Sequence, residues 1–157
     1  MRPVGPADVD RLVHLRAQPS VARWWGPPET PGWPLDDDEE EVVLVIEAGG
    51  SVAGLIQFGE VTEPAYRSAS VDVFLGEDHQ RQGLGTDAIR TLCRHLLTDG
   101  GHHRITIDPD ARNGPAIRTY ARVGFRRVGT MRRCWWDHVE ERWSDGLLMD
   151  LLEGELL

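Results

Sequence analysis

The chain has 157 residues, 40% of them hydrophobic, which is enough for one domain (residues 1–157) that buries roughly 70% of its unfolded surface and too little to lead one to expect a second. Its 17 basic and 26 acidic side chains give a net charge of −9, which disfavours nucleic acid and anionic membranes as partners and steers small cations inward. No apolar run exceeds residues 42–46, the first six residues have no signal-peptide core, and Cys93 and Cys134 stand in no metal-like spacing, so a cytoplasmic protein without disulfide framework or zinc is expected.

In chain order, Asp8, Val9, Leu12, Val13 and Leu15 predict a first helix ending near Pro19, and residues 20–26 a short second helix stopped by Gly26. Four prolines between Pro27 and Pro34 force a loop. Residues 36–41 are six consecutive acids, read as a solvated helical turn, with a role in holding a cationic substrate as the alternative. Residues 42–47, a Gly49-Gly50 turn and residues 52–58 form a hairpin signal, and residues 70–75 add a third strand. The period then changes: Leu84, Ala88, Ile89, Leu92, Cys93, Leu96 and Leu97 recur at helical spacing and give that helix one core face, with Cys93 as part of it. A strand over residues 104–108 follows, then a helix begun by Asn113 as N-cap, with Ile117, Tyr120 and Ala121 inward and Gly124 at its end. Strands over residues 125–136 and 142–152 complete an α+β order with a mixed sheet.

The stretch Gln80-Arg81-Gln82-Gly83-Leu84-Gly85-Thr86 lies between the third strand and its helix. Two glycines one residue apart let backbone N–H groups converge at a helix N-terminus, a cradle suited to phosphate oxygens. The chain contains no lysine, so this is no Walker loop. Eight arginines from Arg104 to Arg133 make a basic patch that suits a phosphorylated cofactor or, more plainly, solvated helix and strand faces. Of the six tryptophans, Trp24 and Trp25 stand before a glycine stop and a proline-rich loop and are candidates for a substrate wall; Trp135, Trp136 and Trp143 are read as core. The pair His102-His103 reads as a wet strand start rather than a metal site, and no nucleophile signature supports covalent catalysis.

The pattern Gln80-Arg81-Gln82-Gly83-Leu84-Gly85 resembles the pyrophosphate grip of the GNAT superfamily of N-acetyltransferases, and residues 21–26, 71–75 and 108–125 resemble aminoglycoside 6′-N-acetyltransferases in particular. The resemblance implies a mixed, mostly antiparallel twisted sheet flanked by helices in three layers, with acetyl-CoA as co-substrate and no metal. It implies a cofactor site of Phe74, Leu75, Gln80, Arg81, Gln82, Gly83, Leu84, Gly85, Thr86, Asn113 and Ala116, with Asn113 at the pantetheine arm. It also implies Asp72 and Asp108 at the amine and base positions, and Tyr120 near the thioester sulfur. The stretch between Phe58 and Ser70 is short and lacks the tryptophan-and-acid flap of well-known members, and the first strand is reduced to a stub around residues 2–4.

Acetyl transfer to an amine needs a neutral nitrogen, a polarised thioester and a stabilised thiolate. An ordinary aspartate titrates near ~3.9 against about 8 for such an amine, so Asp72 is a poor base unless burial raises it; otherwise it orients the ammonium and passes the proton directly or through water. Tyr120 hydrogen-bonds readily to a developing thiolate; as a core tyrosine it would only pack. The expected function is acetyl-CoA-dependent N-acetylation of a small cationic primary amine, an aminoglycoside first, by a monomer or homodimer. The alternatives are a protein N-terminus, a polyamine, a siderophore precursor, or a non-catalytic CoA-binding module.

Overall fold

A computed structural model describes residues 1–28, 30–35 and 41–157. Among these residues seven strands form one sheet in the order β1-β2-β3-β4-β5-β7-β6. They are β1 (Arg2–Pro3), β2 (Glu41–Ala48), β3 (Ser51–Val61), β4 (Ser68–Leu75), β5 (Arg104–Ile107), β6 (Arg126–Asp137) and β7 (Arg142–Leu152). Only β4 and β5 pair in parallel. The stub strand is real: Arg2 and Pro3 pair with Val45 and Leu44. The acid run lies outside the described residues except for Glu41, which opens β2 rather than a helical turn.

Four α-helices among the described residues cover the sheet: α1 (Val9–Arg16), α2 (Pro19–Trp25), α3 (Leu84–Thr98) and α4 (Gly114–Val123). Strand alternation divides their partners. Val45, Leu55 and Phe74 turn to Leu12, Leu15 and Val21 on one face, whereas Ile46, Ile56 and Val71 turn to Ile89, Leu92 and Leu96 of α3 and Ile117 of α4 on the other. The result is the expected three-layer, mostly antiparallel α+β architecture. As read from its period, Cys93 is fully buried on α3, and burial pushes its thiol up to about 12. Asn113 caps α4 as expected, its Oδ1 accepting from the Ala116 amide at 3.2 Å. No described helix is long and apolar enough to cross a membrane.

Two readings need correction. Trp135, Trp136 and Trp143 are not core: they are 45%, 43% and 55% exposed. Residues 126–137 form an edge strand, Trp143 stands opposite Trp136 on β7 with the two rings edge to face at 5.5 Å, and neither hydrophobic cluster includes any of the three, so these indoles lie outside both cores. His102 is not wet: it is 1% exposed and its Nε2 meets Glu60 Oε1 at 2.5 Å, while its neighbour His103 stays exposed.

Candidate active site

The parallel pair β4–β5 makes only two rungs, Ala69 with Ile105 and Ser70 with Thr106. Beyond them β4 runs on to Leu75 beside β3, while β5 ends at Ile107. The strands fork, and the edge of β4 that faced β5 carries backbone groups without ladder partners. A cleft of about 1550 Å³ runs through this fork from the loop before α3 to the aromatic side chains of α2.

At one end stands the anion cradle. Gly83 is the N-cap of α3 with φ of 86°, a left-handed conformation that a glycine adopts at no steric cost, and a Cβ placed there would meet nothing within 4 Å. Arg81 also has positive φ, 60°. The amides of residues 81–86 donate to no acceptor among the described residues, so a row of N–H groups opens at the positive end of a 15-residue helix. Arg81, Gly83, Gly85 and Thr86 line the cleft, and Arg118 and Arg122 of α4 add positive charge. These groups fit a diphosphate.

Other members of the expected cofactor set have structural duties. Gln80 lines the cleft, but its side-chain amide donates to Leu75 O at 2.9 Å and Ser20 Oγ at 3.0 Å, tying the loop to β4 and α2. Gln82 turns its side chain away to Asp78 O at 2.6 Å, and Leu84 is only half-buried and does not line the cleft, so these two can contribute main chain alone. Phe74, Leu75, Asn113 and Ala116 all line it.

At the fork the structure brings Asp72, Asp108 and Tyr120 together. Asp72 shares the α2 face of the sheet with Phe74, and its direct cross-strand neighbour is Gln57. Burial first, then the charges of Asp108 and Glu41, push its carboxyl up to about 7. Asp108 is likewise raised by burial. Val71 and Val73 do face the other way; Asp72 shares its face with Phe74, against which the rings of Trp25 and Trp33 pack. The gap of roughly four pKa units that made Asp72 a poor base thus shrinks to about one. Tyr120 is 7% exposed, rings with Phe125 at 6.2 Å, and its hydroxyl has no hydrogen-bond partner among the described residues. Burial, then Asp72 and Asp108, hold its phenol above the ordinary range, so the hydroxyl keeps its proton at neutral pH. It is at once a core tyrosine and a cleft residue.

Trp24 and Trp25 line the cleft as expected. Trp25 sets its edge against Phe74 at 4.9 Å, and the Arg16 guanidinium lies 5.3 Å from Trp25 and 4.5 Å from Trp33. Arg16 is 1% exposed and donates to the carbonyls of Gly26 (3.1 Å), Trp25 (2.9 Å) and Pro27 (2.8 Å), fixing the end of α2 where its last C=O groups need donors. Trp33, Glu41, Gln57, Trp135 and Trp136 also line the cleft and are absent from the sequence-derived site. Gln57 had a signal, as a lone amide in the otherwise apolar run of residues 52–58; the others lie far apart in the chain and meet only through the fold.

Known proteins share this fold. The family model described as "Acetyltransferase (GNAT) family" matches residues 10–125. Spermidine N(1)-acetyltransferase of Escherichia coli (strain K12) is 26% identical over 139 residues, 83% of this chain and 74% of that protein. Aminoglycoside N(6′)-acetyltransferase type 1 of Klebsiella pneumoniae is 29% identical over 146 residues, 79% of this chain and 72% of that protein. Among solved structures, Mycobacterium smegmatis RimJ in complex with CoA-disulfide superposes with a TM-score of 0.86 at 25% identity, covering 99% of this chain and 82% of that one. With its forked sheet, its unsatisfied amides before α3 and this likeness, the chain belongs to the GNAT family of N-acetyltransferases, which take their acetyl group from acetyl-CoA.

Proposed function

We propose that this chain acetylates a primary amine of a small cationic acceptor. The observation that carries the reading is the fork itself, where a buried carboxyl raised to about 7 and an unpartnered buried tyrosine share one cleft with a diphosphate cradle. The amides of residues 81–86 hold the pyrophosphate, with Phe74, Leu75, Asn113 and Ala116 along the pantetheine arm. Asp108 and Glu41 attract the ammonium, and Asp72, near its midpoint at neutral pH, accepts the proton that frees the nitrogen lone pair. The nitrogen attacks the thioester carbon, the C–S bond breaks, and Tyr120 hydrogen-bonds the departing thiolate, which takes up the proton the new amide nitrogen sheds and leaves as the thiol of CoA. Trp24 and Trp25 wall the acceptor, since aromatic faces suit both sugar rings and ammonium groups.

An aminoglycoside 6′-amine is the first acceptor to try. A polyamine is the second reading, favoured by the additional carboxylate of Glu41 on the same cleft and by the likeness to the spermidine enzyme. Thiol release from acetyl-CoA, followed with kanamycin and with spermidine, separates them. Turnover of either supports amine acetylation; acetyl-CoA binding with no turnover on any amine would leave a non-catalytic CoA-binding module.

A further inference from the structure

Three features meet at Trp135. First, β6 carries a bulge: Met131 pairs with Gly146 and Trp135 with Ser144, so β6 advances four residues while β7 advances two. Arg133 within the bulge has φ of 52°, and its amide donates to Asp145 Oδ1 at 2.8 Å, pinning the distortion. Second, the bulge delivers the Trp135 ring over Gly146. A Cβ at Gly146 would sit 2.9 Å from Trp135 Nε1 and 2.7 Å from Cys134 Sγ, so only glycine lets the indole lie there. Third, Trp135 Nε1 donates to the main-chain oxygen of Asp108 at 3.2 Å. Around that point the chain is otherwise bound to β7: Leu147 N donates to Pro109 O at 2.8 Å, Ala111 N to Asp145 O at 2.8 Å, and Asp110 bridges Gly146. The Asp108 carbonyl is left for the indole.

We propose that Trp135 is a positioning residue: its indole N–H holds the Asp108 main chain so that the Asp108 carboxylate stays turned toward Asp72 in the fork. The indole does not touch the reacting atoms; it acts through Asp108. The titratable groups around Asp72 are Glu41 from β2, Asp108 after β5 and Tyr120 from α4, and of these Asp108 alone takes its main-chain anchor from Trp135. The inference rests on the amine-acetylation reading only for its kinetic arm.

The test compares W135F, which keeps a ring but loses the N–H, with G146A, which pushes the indole aside, and W143F, an exposed indole off the cleft, as control. The Asp72 carboxyl is titrated by carbon-13 NMR, assigned by its loss in D72N, without any acceptor. Its midpoint should fall by half a pH unit or more in W135F and G146A, because a relaxed Asp108 repels Asp72 less and admits water, and should not move in W143F. With whichever of kanamycin and spermidine the wild type turns over faster, kcat/KM for the amine should drop at least fivefold in both variants while KM for acetyl-CoA stays within twofold. An unmoved midpoint in W135F overturns the proposal even if Tm falls, since a merely structural indole would change only Tm. Should W135F fail to fold, G146A decides by the same midpoint. If wild type turns over neither amine, the amine reading fails while the titration still judges Trp135.

Discussion

Asp72 and Asp108 each stand two residues beyond the last paired positions of β4 and β5, Ser70 and Thr106. Had the parallel ladder continued, they would have been register partners. Instead the strands part, and two carboxylates that a closed sheet would have set side by side look across a gap wide enough for a ligand. Their mutual repulsion, added to burial, is what lifts Asp72 to a range where it can exchange protons at neutral pH.

This arrangement costs stability wherever Asp72 must be ionised. Asp72 binds its proton more tightly in the folded chain than in the unfolded one, so between about pH 4 and 7 the folded state holds the extra proton and stability falls as pH rises. Asp72→Asn should therefore raise stability by roughly 2 to 4 kcal/mol at pH 8 and change it little at pH 4. Urea denaturation of both proteins at the two pH values checks this; equal effects at both would refute the raised carboxyl. The same variant should lose the acidic limb of the kcat/KM profile near pH 7 and at least a hundredfold of activity.

Tyr120→Phe removes a hydroxyl that has no protein partner, so folding should be unaffected or slightly favoured. Turnover should fall at least tenfold, about 1.4 kcal/mol of transition-state stabilisation, with acetyl-CoA binding unchanged. Steady-state kinetics beside isothermal titration with CoA reads both; an unchanged kcat would remove Tyr120 from the chemistry.

Gly83→Ala tests the cradle. Open space around the added Cβ means no clash, and the left-handed backbone alone should cost about 1 to 2 kcal/mol. The methyl group, however, stands where the diphosphate must approach. The Kd for acetyl-CoA should rise at least tenfold, measured by titration calorimetry, and an unaltered Kd would place the pyrophosphate elsewhere.

Arg16→Met leaves the carbonyls of Trp25, Gly26 and Pro27 without their shared donor. One buried acceptor, at Gly26, and two that water can partly reach make this worth about 2 to 3 kcal/mol, or a drop of roughly 4 to 12 °C in Tm. Because the same guanidinium backs Trp25 and Trp33, KM for the amine should rise more than KM for acetyl-CoA.

Much of this was legible in the sequence, for reasons that are local. The helical repeat of Leu84 to Leu97, the Gly49-Gly50 turn and the Asn113 cap are short-range signals, and each appears in the structure where residue spacing put it. The glycines of the loop before α3 announced a cradle for the same reason. What depends on sheet order was not legible. Trp135 and Trp136 have the composition of core residues, and only the placement of β6 at the sheet edge exposes them. His102 looked wet beside His103 because a sequence does not show that Glu60, 42 residues earlier, closes over it. The lifting of Asp72 needed the fold as well, since its sequence neighbours Val71 and Val73 lie on the opposite face, its burial comes from the assembled sheet and cover, and the charges that add to it arrive from Glu41 on β2 and Asp108 after β5.

The two-rung seam between β4 and β5 also has a mechanical meaning. One half of the sheet, β1 to β4, and the other, β5 to β7, are each knitted by antiparallel ladders, but among the described residues backbone bonding joins the two halves of the sheet only near Ala69 and Ser70. α3 and α4 splint that seam from one side through close side-chain packing. Any parting of the two halves would therefore fall on two rungs and on that packing, with the antiparallel ladders left whole.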